Sequence, residues 1–136
     1  MRGLLAGFCL IAAPALADVS PFHTPSGNIQ CFHGAESGVP SDVSCEIVQR
    51  SGPPAMPQPA SCPGAWGHKF TIRESGRVQM DCGAPSGGEP FGDVAGYGQT
   101  ADYGRGFRCT SEKTGFTCVN RDGHGFFLSR ASQKVW

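Results

Sequence analysis

The sequence predicts a small all-β domain, sandwich-like or barrel-like, built of antiparallel strands and held by three disulfides. Three observations lead to this prediction. Six of the seven cysteines follow an N-terminal segment typical of a secretory signal. Glycine (20 residues) and proline (11 residues) are frequent, whereas long helix-periodic apolar patterns do not occur. Short segments that alternate apolar and polar residues recur between turn-forming residues, which is the pattern of short strands.

Residues 1–17 have the pattern of a signal peptide. Arg2 precedes an apolar run over 4–13, and Ala15-Leu16-Ala17 forms an A-x-A cleavage signature. The apolar run is too short to span a bilayer. We therefore expect cleavage after Ala17 and a single domain over 18–136, exported to the periplasm or to the extracellular space.

Cys9 lies inside the apolar run and raises the alternative of a lipid-anchored protein. The residue before it is the bulky Phe8, whereas lipoprotein processing needs a small residue at that position, so export without an anchor is favoured. Loss of Cys9 with the signal peptide also leaves an even number of cysteines, as a disulfide framework requires.

The six remaining cysteines allow fifteen pairings, and local strand patterns narrow the choice. Cys31 and Cys45 occupy apolar positions of two short segments, 29–31 and 43–47, in which apolar and polar residues alternate. Cys109 and Cys118 each follow a phenylalanine by two residues. Pairing between neighbours in the sequence is therefore favoured, each bond adding about 2–4 kcal/mol of stability. The expected disulfides are Cys31–Cys45, Cys62–Cys82 and Cys109–Cys118.

The elements follow one another along the chain. Residues 18–24 form a lead-in, and residues 25–50 hold the first pair of strands. A proline-rich crossover over 51–63 cannot be a central strand, because proline lacks the backbone N–H. Residues 68–82 form a second hairpin, with its turn at Glu74-Ser75-Gly76.

The second half of the chain starts with a glycine-rich irregular stretch, 83–106. Residues 107–129 then give two or three closing strands, with Asp122-Gly123 as a turn. The tail from Ser129 is expected to hold at most one helical turn.

Composition and charge exclude several classes of partner. The chain has 11 Lys and Arg against 11 Asp and Glu, and loss of Arg2 leaves ten basic against eleven acidic residues. Because no basic stripe exists that could follow a phosphate backbone, no nucleic-acid partner is expected. No second apolar segment follows the signal peptide, so no membrane span is expected either.

Motifs for cofactors and metals have simpler explanations. The segment from Gly96 to Ala101 formally matches a dinucleotide fingerprint but lacks the preceding strand and the following helix. Asn120, Asp122 and His124 alternate as three potential ligands, yet turns use such residues for backbone reasons alone. The four histidines show no metal-ligand spacing. We therefore predict no cofactor and no metal.

Two stretches stand out from the rest of the chain. The first is Ser26-Gly27-Asn28, which leads into Cys31, and the second is the strand from Gly123 to Arg130. Together with the intervening segments 106–109 and 114–120 and the Tyr97-Gly98 element, they resemble a family of small secreted bacterial six-cysteine proteins, catalogued as a domain of unknown function. The resemblance covers roughly residues 21–135. It implies three disulfides and carries no established activity.

The most consistent function is a non-catalytic binding domain. Its partner would be an extracellular protein, a cell-envelope polymer or a small ligand. Loops on a rigid scaffold usually carry binding, so we expect the recognition surface in 83–106 together with the strand over 123–130. The candidate binding residues are Asn28, Tyr97, Tyr103, His124 and Arg130.

The alternative function is a small exported hydrolase. It would use His124 with Arg130 and an acidic residue, for which Glu46 and Asp81 are the candidates. No spacing in the sequence selects such a set, so the binding domain is favoured. Taken singly, Asn28, His124 and Arg130 are also well explained as residues of turns and strand ends.

Overall fold

A computed structural model describes residues 18–36, 39–103 and 106–136 of the protein. These residues form two β-sheets and no helix, and neither sheet closes into a barrel. The all-β prediction is confirmed, with the sandwich-like arrangement realised rather than the barrel-like one. Accordingly, no described helix has the length and apolarity to cross a membrane. The expected signal peptide, 1–17, lies outside the described residues.

The first sheet has six strands in the spatial order β5-β4-β3-β2-β1-β6. Neighbouring strands are antiparallel, except that β6 runs parallel to β1. The strands are β1 (Asp18–His23), β2 (Ile29–Glu36), β3 (Val39–Ile47), β4 (Lys69–Arg73), β5 (Gln79–Asp81) and β6 (Asp93–Val94).

The second sheet has five strands in the spatial order β11-β10-β9-β8-β7, and all its neighbours are antiparallel. Each strand therefore pairs with the strand next to it in the sequence. The strands are β7 (Thr100–Tyr103), β8 (Phe107–Glu112), β9 (Gly115–Val119), β10 (Gly125–Leu128) and β11 (Gln133–Val135).

Aromatic rings join the two sheets into one core. Phe22 of β1 lies 5.9 Å from Phe116 of β9, and Phe70 of β4 lies 5.8 Å from Phe126 of β10, between ring centroids. All four rings are buried. The strict alternation of buried and exposed residues in β8 explains why one face of the sheet is apolar. Burial of this face drives the packing of one sheet on the other.

The three disulfides pair as the sequence predicts. Cys31 and Cys45 are register partners in β2 and β3, and Cys109 and Cys118 are register partners in β8 and β9. Each sheet thus has its own cross-strand bond in the core. Cys62–Cys82 instead attaches the crossover to the end of β5.

The proline-rich crossover contains no strand, as predicted, and packs against the core through Ala55 and Met56. Buried Gln133 of β11 accepts a hydrogen bond from the backbone N–H of Ala55 at 2.9 Å and donates one to the carbonyl of Gly67 at 3.0 Å. Trp66 donates through Nε1 to the carbonyl of Met56 at 2.9 Å. Side chains therefore bond backbone groups of this region, which pairs with no strand.

Three local predictions were wrong. The lead-in over 18–24 contains β1, the glycine-rich stretch over 83–106 contains β6 and β7, and the tail from Ser129 holds β11 instead of a helical turn. In each case the strand is short or contains residues that disfavour strands. Pairing with a distant or neighbouring strand outweighs this weak local preference.

Candidate functional site

A groove lies at one end of the sandwich, where the loop before β2 (26–28) meets the residues that follow β10 (129–130). It has two lobes that share Ser26, Asn28 and Arg130. The first, which we call the Tyr97 lobe, has a volume of ≈ 230 Å³, and the second, the Pro90 lobe, one of ≈ 270 Å³. Both lobes are open to solvent. Three of the five candidate residues from the sequence, Asn28, Tyr97 and Arg130, therefore line one groove.

The loop between β1 and β2 forms the middle of the groove. Gly27 has a φ of 73°, a left-handed conformation that glycine adopts without strain. Ser26 Oγ accepts a hydrogen bond from the N–H of Asn28 at 3.2 Å. The Asn28 amide exchanges two hydrogen bonds with the backbone of Gln49, at 2.8 and 3.0 Å. The loop is consequently fixed to the segment that follows β3.

Tyr97 projects from a tight turn that is fixed to β8. The N–H of Gly98 donates to the carbonyl of Ser111 at 2.7 Å, and the N–H of Ser111 donates to the carbonyl of Gln99 at 3.0 Å. Ser111, which is 1% exposed, also donates through Oγ to the carbonyl of Ala95 at 2.8 Å. The Tyr97 side chain itself is 43% exposed. An exposed aromatic side chain is thus carried on a fixed backbone.

Arg130 occupies the turn between β10 and β11. Ser129 and Ser132 close this turn through backbone and hydroxyl hydrogen bonds. The carbonyl of Arg130 accepts from the N–H of Ser51 at 2.8 Å. Within the described part of the chain, the guanidinium makes no hydrogen bond and no ion pair. The backbone of Arg130 is fixed while its charged group remains free to bind.

The turn between β8 and β9 completes the Tyr97 lobe. Gly115 begins β9 so close to β10 that an added Cβ would lie 2.8 Å from the carbonyl oxygen of Leu128 and against the ring of Phe127. A side chain at this position would push the two strands apart. The exposed Lys113 and Glu112 follow the rim of the same lobe.

The Pro90 lobe is lined by the glycine-rich segment. Pro90 lies directly over Gly27, where an added Cβ would be 2.6 Å from Pro90 Cγ. Gln30 donates through Nε2 to the carbonyls of Gly27 and Gly88, at 3.1 and 3.4 Å. Glu89 adds a carboxylate to this lobe. The glycine-rich stretch therefore contributes to the groove at Pro90 and its neighbours as well as at Tyr97.

The groove combines several kinds of recognition chemistry. Arg130 at the junction offers five N–H donors in a planar fork, and Lys113 offers an ammonium. Glu89 and Glu112 offer acceptors, and hydroxyl groups line the Tyr97 lobe at Thr24, Ser26, Thr114 and Ser129. No histidine lines either lobe. The arrangement suits hydrogen bonding to a polar ligand with an apolar face toward Tyr97.

His124 lies at the other end of β10. A strand rises about 3.3 Å per residue, so the six residues to Arg130 correspond to a separation of up to about 20 Å. Asn120, which is 5% exposed, accepts from the N–H groups of Asp122 and His124 at 3.0 and 3.1 Å. It also donates through Nδ2 to the carbonyls of Arg73 and Gly76. The structure thus holds His124 in a hydrogen-bonded turn and does not bring it to the groove.

The remaining sequence candidates are dispersed. The side chain of Tyr103 lies outside the part of the chain that the structure describes. Glu46 accepts from the N–H and the hydroxyl of Ser86, both at 2.8 Å, and Asp81 accepts from Thr71 Oγ1 at 2.8 Å. Among the described residues no group of His, Cys, Asp or Glu has the arrangement of a metal site.

A second exposed feature lies on the outer face of the first sheet. Phe32 and Phe91 are 39% and 58% exposed, and their ring centroids are 5.6 Å apart. The exposed Val19 and Val94 lie on the strands nearby. Among the described residues, this apolar patch shares no side chain with the groove.

Sequence reasoning missed the contribution of the β8–β9 turn to the site. Thr114 and Gly115 have the sequence pattern of a turn, and Lys113 was not among the candidate residues. Ser51, which holds the Arg130 carbonyl, was assigned to the crossover alone. Their roles depend on contacts between segments far apart in the sequence, which no local pattern reports.

The model of a family of unknown function, DUF6636, matches residues 3–136. No curated protein and no solved structure gives a significant match to the chain.

Proposed function

The chain belongs to the DUF6636 family of unknown function, and we propose that it is an exported, non-catalytic binding domain whose ligand site is the two-lobed groove. The observation that supports this most directly is the convergence of Asn28, Tyr97 and Arg130 on one open concave surface. The three disulfides are consistent with export, because such bonds persist in oxidising compartments.

The groove has the features of a preorganised site. The backbones that carry Asn28, Tyr97 and Arg130 are each held by hydrogen bonds to another segment. The side-chain tips of Tyr97 and Arg130 remain exposed. Binding therefore orders few groups, which reduces the entropic cost of association.

The hydrolase alternative meets a geometric difficulty. Its histidine, His124, and its arginine, Arg130, flank opposite ends of β10. Its acidic candidates, Glu46 and Asp81, lie on the first sheet and already accept hydrogen bonds from Ser86 and Thr71. Acid–base catalysis needs such groups within hydrogen-bond reach of one reacting centre, so the binding domain is the better-supported function.

The proposal is tested by mapping where small ligands bind. The ¹⁵N-labelled protein, with its disulfides formed, is titrated with a panel of monosaccharides, amino acids and small organic acids while backbone amide shifts are recorded. We expect the shift changes to cluster at 24–30, 96–98, 112–115 and 128–130. Tyr97→Ala should reduce them without loss of folding, because the ring is exposed.

The matched control is Phe91→Ala in the exposed apolar patch, which should leave the groove response unchanged. Shift changes that cluster instead around Phe32 and Phe91, or in the cavity lined by Met56 and Trp136, would show that the groove is not the site.

A further inference from the structure

We propose that the groove binds a linear oligosaccharide that bears carboxylate groups, such as a uronic-acid polymer, with a carboxylate held by Arg130. The inference rests on the proposed function and adds the class of ligand. It depends on the shape of the groove, on the position of its charges and on the fixed backbone that carries the exposed Tyr97 ring.

The shape of the groove favours a chain over a compact molecule. Two lobes of ≈ 230 and ≈ 270 Å³ meet at Ser26, Asn28 and Arg130, and both are open to solvent. A small compact ligand would fill one lobe and leave the other lobe unused. A ligand of at least two consecutive units can occupy both lobes and continue beyond them into solvent.

The charges are arranged for a carboxylate between hydroxyl groups. Arg130 lies at the junction, and its guanidinium has no acidic partner in the described part of the chain. Glu112 and Glu89 line the lobes on either side of the junction. A guanidinium binds carboxylate through two parallel hydrogen bonds, whereas ionised carboxylates accept hydrogen bonds from hydroxyl groups. Sugar acids present both kinds of group within one unit.

Tyr97 supplies the apolar contact that a sugar ring needs. The C–H groups on one face of a pyranose carry partial positive charge, and the face of an aromatic ring is negative. Since the turn that carries Tyr97 is fixed to Ser111, stacking costs little backbone entropy. Asn28 Oδ1 and Nδ2 each bond the backbone of Gln49, so the first role of Asn28 is to hold the shape of the junction.

The test uses tetragalacturonate and tetramannuronate as probes in calorimetric and amide-shift titrations. At least one of them should bind, with shift changes over both lobes. Its methyl ester, which lacks the charge, should bind at least tenfold more weakly. Arg130→Gln should weaken binding at least tenfold. Arg130→Lys keeps the charge and loses the planar fork, so its affinity should lie between those of Arg130→Gln and the unmodified protein.

The matched control is Arg108→Gln. Arg108 is exposed on β8 and pairs with Asp102 outside the groove, so its loss removes one positive charge without changing the site. It should leave uronate binding within a factor of two. An equal effect of Arg108→Gln and Arg130→Gln would mean that attraction is non-specific, and the inference would be wrong.

Two further outcomes overturn the inference. If neither uronate binds while small ligands still perturb the groove, the ligand class is wrong and the proposed function stands. If tetraglutamate binds as tightly as the uronates and depends on Arg130 in the same way, the groove recognises acidic peptides. Absence of any ligand response at the groove would instead overturn the proposed function itself.

Discussion

The two ends of β10 carry similar polar residues and differ in how fully those residues are bonded. At the His124 end, Asn120 is buried and makes four side-chain hydrogen bonds, of which the two to the carbonyls of Arg73 and Gly76 join the second sheet to the first. At the Arg130 end, the hydrogen bonds involve backbone groups, and the guanidinium has no partner among the described residues that line the open groove. Saturated polar groups stabilise a fold, whereas unsaturated and exposed ones are available to a partner. The difference supports the proposal that the Arg130 end, rather than the His124 end, takes part in recognition.

The largest expected effect on stability is at the His124 end of β10, where Asn120 makes its four hydrogen bonds. Asn120→Ala removes two donors and two acceptor contacts, and it leaves the carbonyls of Arg73 and Gly76 without these bonds. We expect a loss of about 3 kcal/mol in the free energy of unfolding and a decrease in Tm of roughly 10 °C, measured by calorimetry. The groove response to small ligands should persist in the folded fraction.

Asn120→Asp tests whether the two donated hydrogen bonds account for this loss of stability. It keeps the acceptor for Asp122 and His124 and replaces the donor by an oxygen that faces two carbonyls, so it should also destabilise. A variant as stable as the unmodified protein would show that the network does not join the sheets.

A smaller effect is expected at Ser111, which fixes the Tyr97 turn. Ser111→Ala removes the buried hydrogen bond to the carbonyl of Ala95 and should cost about 1–2 kcal/mol. The amide of Gly98, which donates to the carbonyl of Ser111, should then exchange faster with solvent. Thr110→Ala, one residue away and paired through its hydroxyl with the exposed Thr100, should leave that exchange rate unchanged. Equal exchange in both variants would contradict the anchoring role of Ser111.

Asn28→Ala tests the groove loop and should cost about 1 kcal/mol. Its two hydrogen bonds to Gln49 lie at the surface, where water replaces them after the substitution. Calorimetry should therefore show a decrease in Tm of roughly 4 °C. If Asn28→Ala lowered the Tm as much as Asn120→Ala, the expected difference between exposed and buried hydrogen bonds would be wrong.

The smallest effects on stability belong to His124→Ala and Arg130→Ala. Each should change the free energy of unfolding by less than about 0.5 kcal/mol, because the hydrogen bonds described for both residues use their backbones. Arg130→Ala should weaken ligand binding and His124→Ala should not. A large loss of stability in both variants, with normal binding, would make both residues structural and the groove assignment wrong.

Local sequence patterns predicted the strands that contain cysteines. In 43–47 and 107–109 the alternation of apolar and polar residues is complete, and each cysteine has its partner on the neighbouring strand. Nearest-neighbour pairing of antiparallel strands makes such local information sufficient for the two cross-strand disulfides.

The missed strands have physical reasons. β1 contains Pro21, which disfavours a central strand, but β6 covers β1 only at Phe22 and His23. At Pro21 the strand is therefore an edge, where a missing N–H is tolerated. β6 has two residues and pairs in parallel with a segment about 70 residues away in the sequence, so it has no local signal.

The candidate site was predictable in part. Asn28, Tyr97 and Arg130 were recognisable as unusual residues in a motif, in an aromatic-bearing loop and at a strand end. Their convergence was not predictable, because it depends on how one sheet packs over the other. His124 was selected by the same motif as Arg130, and the length of β10 separates the two.

The cysteine order has a consequence for how the chain is oxidised. Each disulfide joins two cysteines that follow one another in the chain, at separations of 14, 20 and 9 residues. When a chain enters an oxidising compartment with its N-terminus first, each pair is complete before the first cysteine of the next pair arrives. Simple vectorial oxidation then yields the native bonds. If the protein is exported as proposed, we expect its oxidative maturation to need a thiol oxidase and no disulfide isomerase.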